Sequence, residues 1–198
     1  MIAKTGRKSF IIALVSVATL VLTTSCLGAT DPPAQTKGYR LYTGTVEGFR
    51  ISFEYQNALY RKAVEIHDND RIVELYSDDF TIGIGSEVTA ASGGFYANAA
   101  ELVEDLLNVA SHSPEFQVIS RGKTWLGPVE AEEGIYSYRL IMGPPFLTNT
   151  IDSVDMKRIV AADYGGRIYS IDLYVEKDKY EDVKEGFEHL LATFRFLD

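Results

Sequence analysis

The sequence predicts an α+β domain, an antiparallel β-sheet flanked by helices. Three observations carry that expectation. Phe49-Arg50-Ile51-Ser52-Phe53-Glu54-Tyr55 alternates apolar and polar side chains without error, the period of a half-buried strand. Two stretches near Ala99–Ala110 and Asp178–Phe194 instead repeat apolar residues at helical spacing. Short connections rich in Gly, Asn and Asp join the strand-like runs, which suits hairpin neighbours better than parallel crossovers. With seven to nine strands and two helices, a layered α+β architecture follows.

The chain begins with an address. Lys4, Arg7 and Lys8 precede the uncharged run Phe10–Leu22, whose thirteen residues would cover only about 20 Å as a helix against the ~30 Å core of a bilayer. That pattern reads as a signal peptide over residues 1–25. Thr23-Thr24-Ser25 lead into Cys26, the only cysteine in the chain, and the arrangement resembles the lipobox of bacterial lipoproteins. In that family the cysteine is diacylated and becomes the mature N-terminus; here Thr23 stands where a leucine is usual. Residues 26–38, with Asp31-Pro32-Pro33 and no apolar period, read as the lipidated cysteine and a short tether. A lone cysteine permits no internal disulfide, and a lipidated one is neither a nucleophile nor a thiolate metal ligand.

Residues 39–198 read as a single domain. Tyr39–Thr45 is expected to pair with the Phe49–Tyr55 strand. Ala63–Ile66 and Arg71–Tyr76 flank His67-Asp68-Asn69-Asp70, whose Asx residues favour a hairpin corner. Asp79–Val88 continues with Phe80, Ile82 and Ile84 in phase. The first helix opens at Asn98, with Glu101 three residues on as its reciprocal cap, and runs through Leu102, Val103 and Leu106. Strands return at Phe116–Arg121, Lys123–Leu126 and Ile135–Met142. Gly143–Asp155, with Pro144-Pro145, lacks periodicity and is expected to be an irregular excursion. Arg158–Asp163 and Arg167–Val175 form a hairpin across Tyr164-Gly165-Gly166. The last helix opens at Asp178 and carries Tyr180, Val183, Phe187, Leu190, Leu191 and Phe194 as one stripe. Gly186 inside it points to close packing, because glycine there costs about 1 kcal/mol against alanine.

The 198 residues are 46% hydrophobic and 24% charged, which excludes disordered and polytopic membrane classes. There are 19 Lys and Arg against 28 Asp and Glu, a net charge of -9. Without Lys4, Arg7 and Lys8, 16 bases face 28 acids. Such a surface repels phosphate backbones, so nucleic acid is rejected as a partner.

The order of elements carries a resemblance over about residues 42–196. Gly48-Phe49-Arg50-Ile51-Ser52-Phe53-Glu54-Tyr55, the run from Phe116-Gln117-Val118 through Trp125-Leu126-Gly127 to Tyr138-Arg139-Leu140, and the close Asp178-Lys179-Tyr180 to Thr193-Phe194-Arg195-Phe196 carry it. They are similar to the PsbP-like domain family. The family's proline after the first strand is Gln56 here. The resemblance implies an α-β-α sandwich that in known relatives mostly binds other proteins; photosynthesis does not follow from it. The matching motifs are packing motifs and none is catalytic.

Chemical constellations are sparse. His67, Asp68 and Asp70 suggest a metal site, and the same residues also make a polar hairpin corner. Glu181, Glu185 and His189 recur at helical spacing, a stripe that could hold a transition metal, and are read as a solvated face instead. The acid groups Asp78/Asp79, Glu130/Glu132/Glu133 and Asp152/Asp155 specify no reaction. Phosphate-loop, dinucleotide, HExxH and Gly-x-Ser-x-Gly patterns are absent, so no enzyme and no cofactor is expected. Twelve tyrosines and ten phenylalanines supply interface anchors, and Phe146 and Leu147 in the aperiodic stretch are the speculative partner-binding pair. The expected function is a non-enzymatic protein-binding or assembly lipoprotein. It is held to the cell membrane through its lipid and faces the extracytoplasmic side. The alternative is a small-ligand or divalent-metal binder for Ca²⁺, Mn²⁺ or Zn²⁺.

Overall fold

Antiparallel pairing organises the whole domain in the computed structural model, which describes residues 37–44, 49–66, 70–142 and 151–197. Seven strands form the main sheet: β3 (Tyr60–Ile66), β4 (Asp70–Tyr76), β5 (Phe80–Val88), β6 (Gln117–Leu126), β7 (Val129–Met142), β8 (Ile151–Tyr164) and β9 (Arg167–Glu176). Their spatial order is β3-β4-β5-β9-β8-β7-β6. β1 (Tyr39–Thr43), β2 (Ile51–Gln56) and the two-residue β10 (Arg195–Phe196) make a separate three-stranded sheet with β2 in the middle. Helix α1 (Ala99–Ala110) lies on one side of the main sheet, and α2 (Tyr180–Thr193) with the small sheet lies on the other. This is the expected α+β sandwich, with a second sheet that the sequence did not separate from the first.

Periodicity explains the layers. Along β9, Tyr169, Ile171, Leu173 and Val175 are buried, while Ser170, Asp172 and Tyr174 occupy the other phase and are half-buried. The apolar phases of β4, β5, β8 and β9 face Ile51, Phe53 and Tyr55 of β2 together with Phe187, Leu190, Leu191 and Phe194, forming the larger core. Aromatic rings tie the small sheet together and to the main one: Phe53 of β2 stacks on Tyr42 of β1 at 4.8 Å and on Phe194 at the end of α2 at 6.0 Å. Phe196 sits against Tyr164 at 4.1 Å and Tyr169 at 5.0 Å.

Local signals held at most ends. Asn98 caps α1 by accepting from the Glu101 amide at 2.9 Å, and Glu101 returns a bond to the Ala97 amide at 2.7 Å. Gly165 and Gly166 have φ of 57° and 76°, so the β8–β9 turn takes the left-handed geometry that suits a two-residue hairpin. Gly186 is buried, and a Cβ there would meet the Gln56 side chain at 2.5 Å, which bears out the expected close approach.

Other expectations are corrected. β6 is one strand where two were expected, because Gly122, the expected break, stays in register opposite Glu133; the one irregularity is a bulge between Val118 and Ser120. β7 starts at Val129, so the acids Glu130, Glu132 and Glu133 lie in a strand. β8 starts at Ile151, which turns the end of the expected excursion into paired strand. Asp178 does not cap α2; it lies in a 3₁₀ turn over Lys177–Lys179 that leads into the helix. Among the described residues, no helix is long and apolar enough to cross a membrane.

Candidate functional site

The two faces of the main sheet are covered unequally. Against the outer face, α1 places Ala99, Leu102, Val103 and Leu107 on Tyr136, Ile159, Ala161 and Ile168. Gly134 lets it settle, since a Cβ there would lie 3.3 Å from Val103 and 3.4 Å from Leu107. Beyond α1 the outer face carries polar and aromatic side chains. Cross-strand register places Tyr76, Thr81, Tyr174, Lys157 and Tyr136 in one row across β4, β5, β9, β8 and β7. Glu74, Gly83 and Asp172 fill the adjoining row. Gly83 leaves room there, because a Cβ would meet Asp172 Oδ1 at 3.0 Å.

Asp155 organises the centre of this face. It is 2% exposed, and it accepts hydrogen bonds from the Tyr174 hydroxyl and from Ser153 Oγ at 2.8 Å. Tyr138 stands opposite Asp155 in the β7–β8 register. Lys157 pairs with Asp172 at 3.5 Å. Beside Ser153 the face runs into an open cleft of about 450 Å³ lined by Asp152, Ser153, Val154, Glu176, Lys177 and Asp178. No buried side-chain polar atom lacks a partner among the described residues.

The residues singled out from sequence are dispersed. Cys26, His67, Asp68, Phe146 and Leu147 lie outside the described residues, as do the signal segment and nearly all of the tether. Asp70 is the first residue of β4, and its side chain is likewise outside the description. Asp152 and Asp155 occupy opposite faces of β8, because an odd separation in a strand reverses the face. Asp152 makes a two-point ion pair with Arg139 at 2.6 and 2.7 Å. Glu130 and Glu132 meet Lys123, Glu133 meets Arg158, and Asp79 meets Lys179. The stripe of Glu181, Glu185 and His189 is not a uniformly solvated face: His189 is half-buried, lies 2.8 Å from Glu54 of β2 and has Tyr39 packed on its ring at 3.9 Å. Among the described residues no three His, Cys, Asp or Glu side chains gather where they would hold a metal.

No family model and no curated protein matches the chain by sequence. The solution structure of cyanobacterial PsbP (CyanoP) from Synechocystis sp. PCC 6803 superposes with a TM-score of 0.53 at 15% identity, over 86% of this chain and 99% of that one. The fold is PsbP-like. The Saccharomyces cerevisiae Ran-binding protein Mog1p gives 0.49 at 8% identity over 81% and 96% of the two chains. LpqN of Mycobacterium tuberculosis, described as involved in cell envelope biogenesis, gives 0.47 at 12% identity over 73% and 82%.

Within this PsbP-like fold the tyrosine network has a measurable signature. Burial, reinforced by the bond to Asp155, pushes the Tyr174 phenol above its ordinary value. Tyr136 is raised by burial and by the charge of Asp172, and Tyr138 chiefly by burial. A raised phenol keeps its proton in the fold at a pH where the unfolded chain has begun to lose it. The stability tied to these groups is therefore complete below pH 10 and is lost as pH climbs through the folded values. For Tyr136, buried at 3% exposure, the loss is about 1.4 kcal/mol for each pH unit above 10. Tyrosinate absorbance of Tyr136 at 295 nm is expected to rise only together with unfolding. Smooth titration of all twelve near pH 10, with ellipticity unchanged, would show the network to be open to water.

Sequence reasoning missed Tyr138, Asp155, Lys157, Asp172 and Tyr174 as one site. Part of the signal was present, since Ser170, Asp172 and Tyr174 share the polar phase of β9. Their assembly with β8 and β7 depended on register, which one strand does not encode.

Proposed function

We propose that the chain is a membrane-anchored extracytoplasmic lipoprotein that acts by binding a protein partner, not by catalysis. The observation that supports this reading best is the outer face of the main sheet, of which the described residues cover only the part beneath α1. It is broad and tyrosine-bearing, whereas the recess between β2, β5 and α2 is filled by Gln56, Leu59, Phe187 and Leu190 and has essentially no free volume. Partner surfaces are wide, with aromatic anchors near their centre, and small-molecule sites are concave and enclosed. The basic start, the apolar run of Phe10–Leu22 and the single Cys26 supply the anchoring half of the proposal.

Affinity capture of the tagged protein from crosslinked cells, beside a Cys26→Ser control, tests both halves. A stoichiometric protein partner that disappears with Cys26→Ser supports a tethered binding module. Recovery of the wild-type protein without any enriched partner overturns the binding half. A Cys26→Ser protein that stays in the membrane fraction with its partner overturns the anchoring half.

A further inference from the structure

We propose that β6 is a docking edge for a second copy of this chain, the two strands running antiparallel about a two-fold axis at Gly122, an association separate from the partner proposed above. β6 ends the main sheet, so one side of its backbone has no neighbouring strand among the described residues. A row of free amides and carbonyls of this kind is a template for another strand. Neither layer overhangs it. Gln117 to Lys123 are exposed, because α1 packs over β7 and β8 and α2 reaches only the last residues of β6. Two usual guards of an edge are present, and neither closes it. Arg121 is drawn back onto Glu104 of α1, and Lys123 onto Glu130 and Glu132 of β7. The bulge is confined to Ile119, and Ser120 to Leu126 keep regular register with β7.

The order of residues along this edge selects a copy of itself. From Ile119 to Trp125 it reads Ile-Ser-Arg-Gly-Lys-Thr-Trp, with a cation, a hydroxyl and a large apolar residue in the same order on either side of Gly122. Binding an unrelated strand needs no such symmetry. A two-fold axis through the paired glycines sets Ile119 opposite Trp125, Ser120 opposite Thr124 and Arg121 opposite Lys123, each pair occurring twice. Aromatic–β-branched and Ser–Thr pairs stabilise antiparallel neighbours. Ile119, 45% exposed, and Trp125, 62% exposed, withdraw apolar surface from water together. The cations stay balanced: each row across the joint reads Glu132, Lys123, then Arg121 and Glu104 of the second copy, acids outside and cations inside. The axis itself is clear, since even a Cβ on Gly122 would meet nothing within 4 Å. A joint of ten residues a side is small for a permanent dimer, so the association is weak and reversible.

The test is crosslinking of the full chain in detergent micelles. Residues directly opposite in an antiparallel pair lie about 4.5–5.5 Å apart at Cα, within disulfide reach. Under mild oxidation Gly122→Cys is expected to form a disulfide dimer at least tenfold faster than Ser120→Cys, or than Phe95→Cys at an 87% exposed site. The wild-type chain, with Cys26 as its only cysteine, sets the background. Mixing Ser120→Cys with Thr124→Cys chains is expected to join one to the other. Adding Trp125→Ser to Gly122→Cys is expected to slow dimer formation at least fivefold with the melting temperature preserved. Equal rates at Gly122 and Phe95 would mean chance collision and overturn the proposal, as would indifference to Trp125→Ser. An amine-reactive crosslinker needs no variant to fold, because the two Lys123 backbones would stand about 8 Å apart. A Lys123–Lys123 link between copies supports the joint; links between copies at other lysines only overturn it. A chain that stays monomeric and holds another protein's strand on β6 overturns it as well.

Discussion

Replacing Phe194 by alanine is expected to destabilise the domain by about 3–5 kcal/mol, the range for deleting a fully buried aromatic ring. Phe194 has no exposed surface and joins three elements as α2 passes into β10. Its ring stacks on Phe53 of β2 at 6.0 Å and meets Phe196 edge-on at 5.1 Å. Its carbonyl lies where a Cβ on Gly127 would come within 2.0 Å, and the Gly127 amide donates to the Leu191 carbonyl at 2.8 Å. The surroundings are therefore held by backbone contacts from the β6–β7 turn and have little freedom to collapse into the space left by the ring. Denaturant titration, compared with Phe95→Ala at an 87% exposed position, checks the claim. The Phe95 variant is expected to stay within about 0.5 kcal/mol of the wild type. A Phe194→Ala loss below 1 kcal/mol would mean that the small sheet is not seated on the main one as described.

Arg158→Met is expected to cost a similar amount for a different reason. Arg158 is 4% exposed, yet it stands in the apolar phase of β8 beneath α2. Its Nε donates to Glu133 at 2.9 Å, its Nη2 lies 2.7 Å from the same carboxylate, and its Nη1 donates to Glu188 at 2.6 Å. The guanidinium also lies 5.1 Å above the Phe187 ring. Burial pulls its basicity down, but the two carboxylates outweigh that and the net shift is upward. Removing the arginine leaves Glu133, whose side chain is 16% exposed, without its cation under an apolar helix. Breaking a buried pair from one side costs about 3–5 kcal/mol, whereas replacing both members is often nearly neutral. The double variant Arg158→Met/Glu133→Gln is therefore expected to recover most of the loss. Glu188, at 47% exposure, returns to water and contributes little to the penalty. A double variant as unstable as the single one would show that Arg158 acts through packing on Phe187, not through the charge it neutralises.

Those two residues mark the boundary between local and tertiary information. Phe194 was legible, because it falls on the helical stripe of Tyr180, Phe187 and Leu190 and an apolar face must find a core. Arg158 was not: as one charge in a strand it looks like any solvated base. Only the packing of α2 across β7 and β8 brings Glu133 and Glu188 to it, from positions 25 and 30 residues away. His189 repeats the lesson, since helical spacing groups it with Glu181 and Glu185 while its partner Glu54 lies 135 residues earlier on another sheet.

What the sequence determined by itself was whatever depends on neighbours along the chain. Alternation specified β2, β4, β5 and β9, helical spacing specified α1 and α2, and Asn98 with Glu101 specified where α1 begins. The glycine pair at 165–166 specified a two-residue hairpin. Interruptions were harder, as at β6, where Gly122 divides the local pattern in two while pairing opposite Glu133 keeps one strand. Tertiary structure alone decided that the strands form two sheets, that α1 covers only part of one face, and that Tyr138, Asp155 and Tyr174 meet on the remainder. The physical reason is that side-chain period is a local property, while register and layer packing are set by burial summed over distant segments. The candidate surface belongs to that second kind of information, because each of its residues is an ordinary polar position until the strands are aligned.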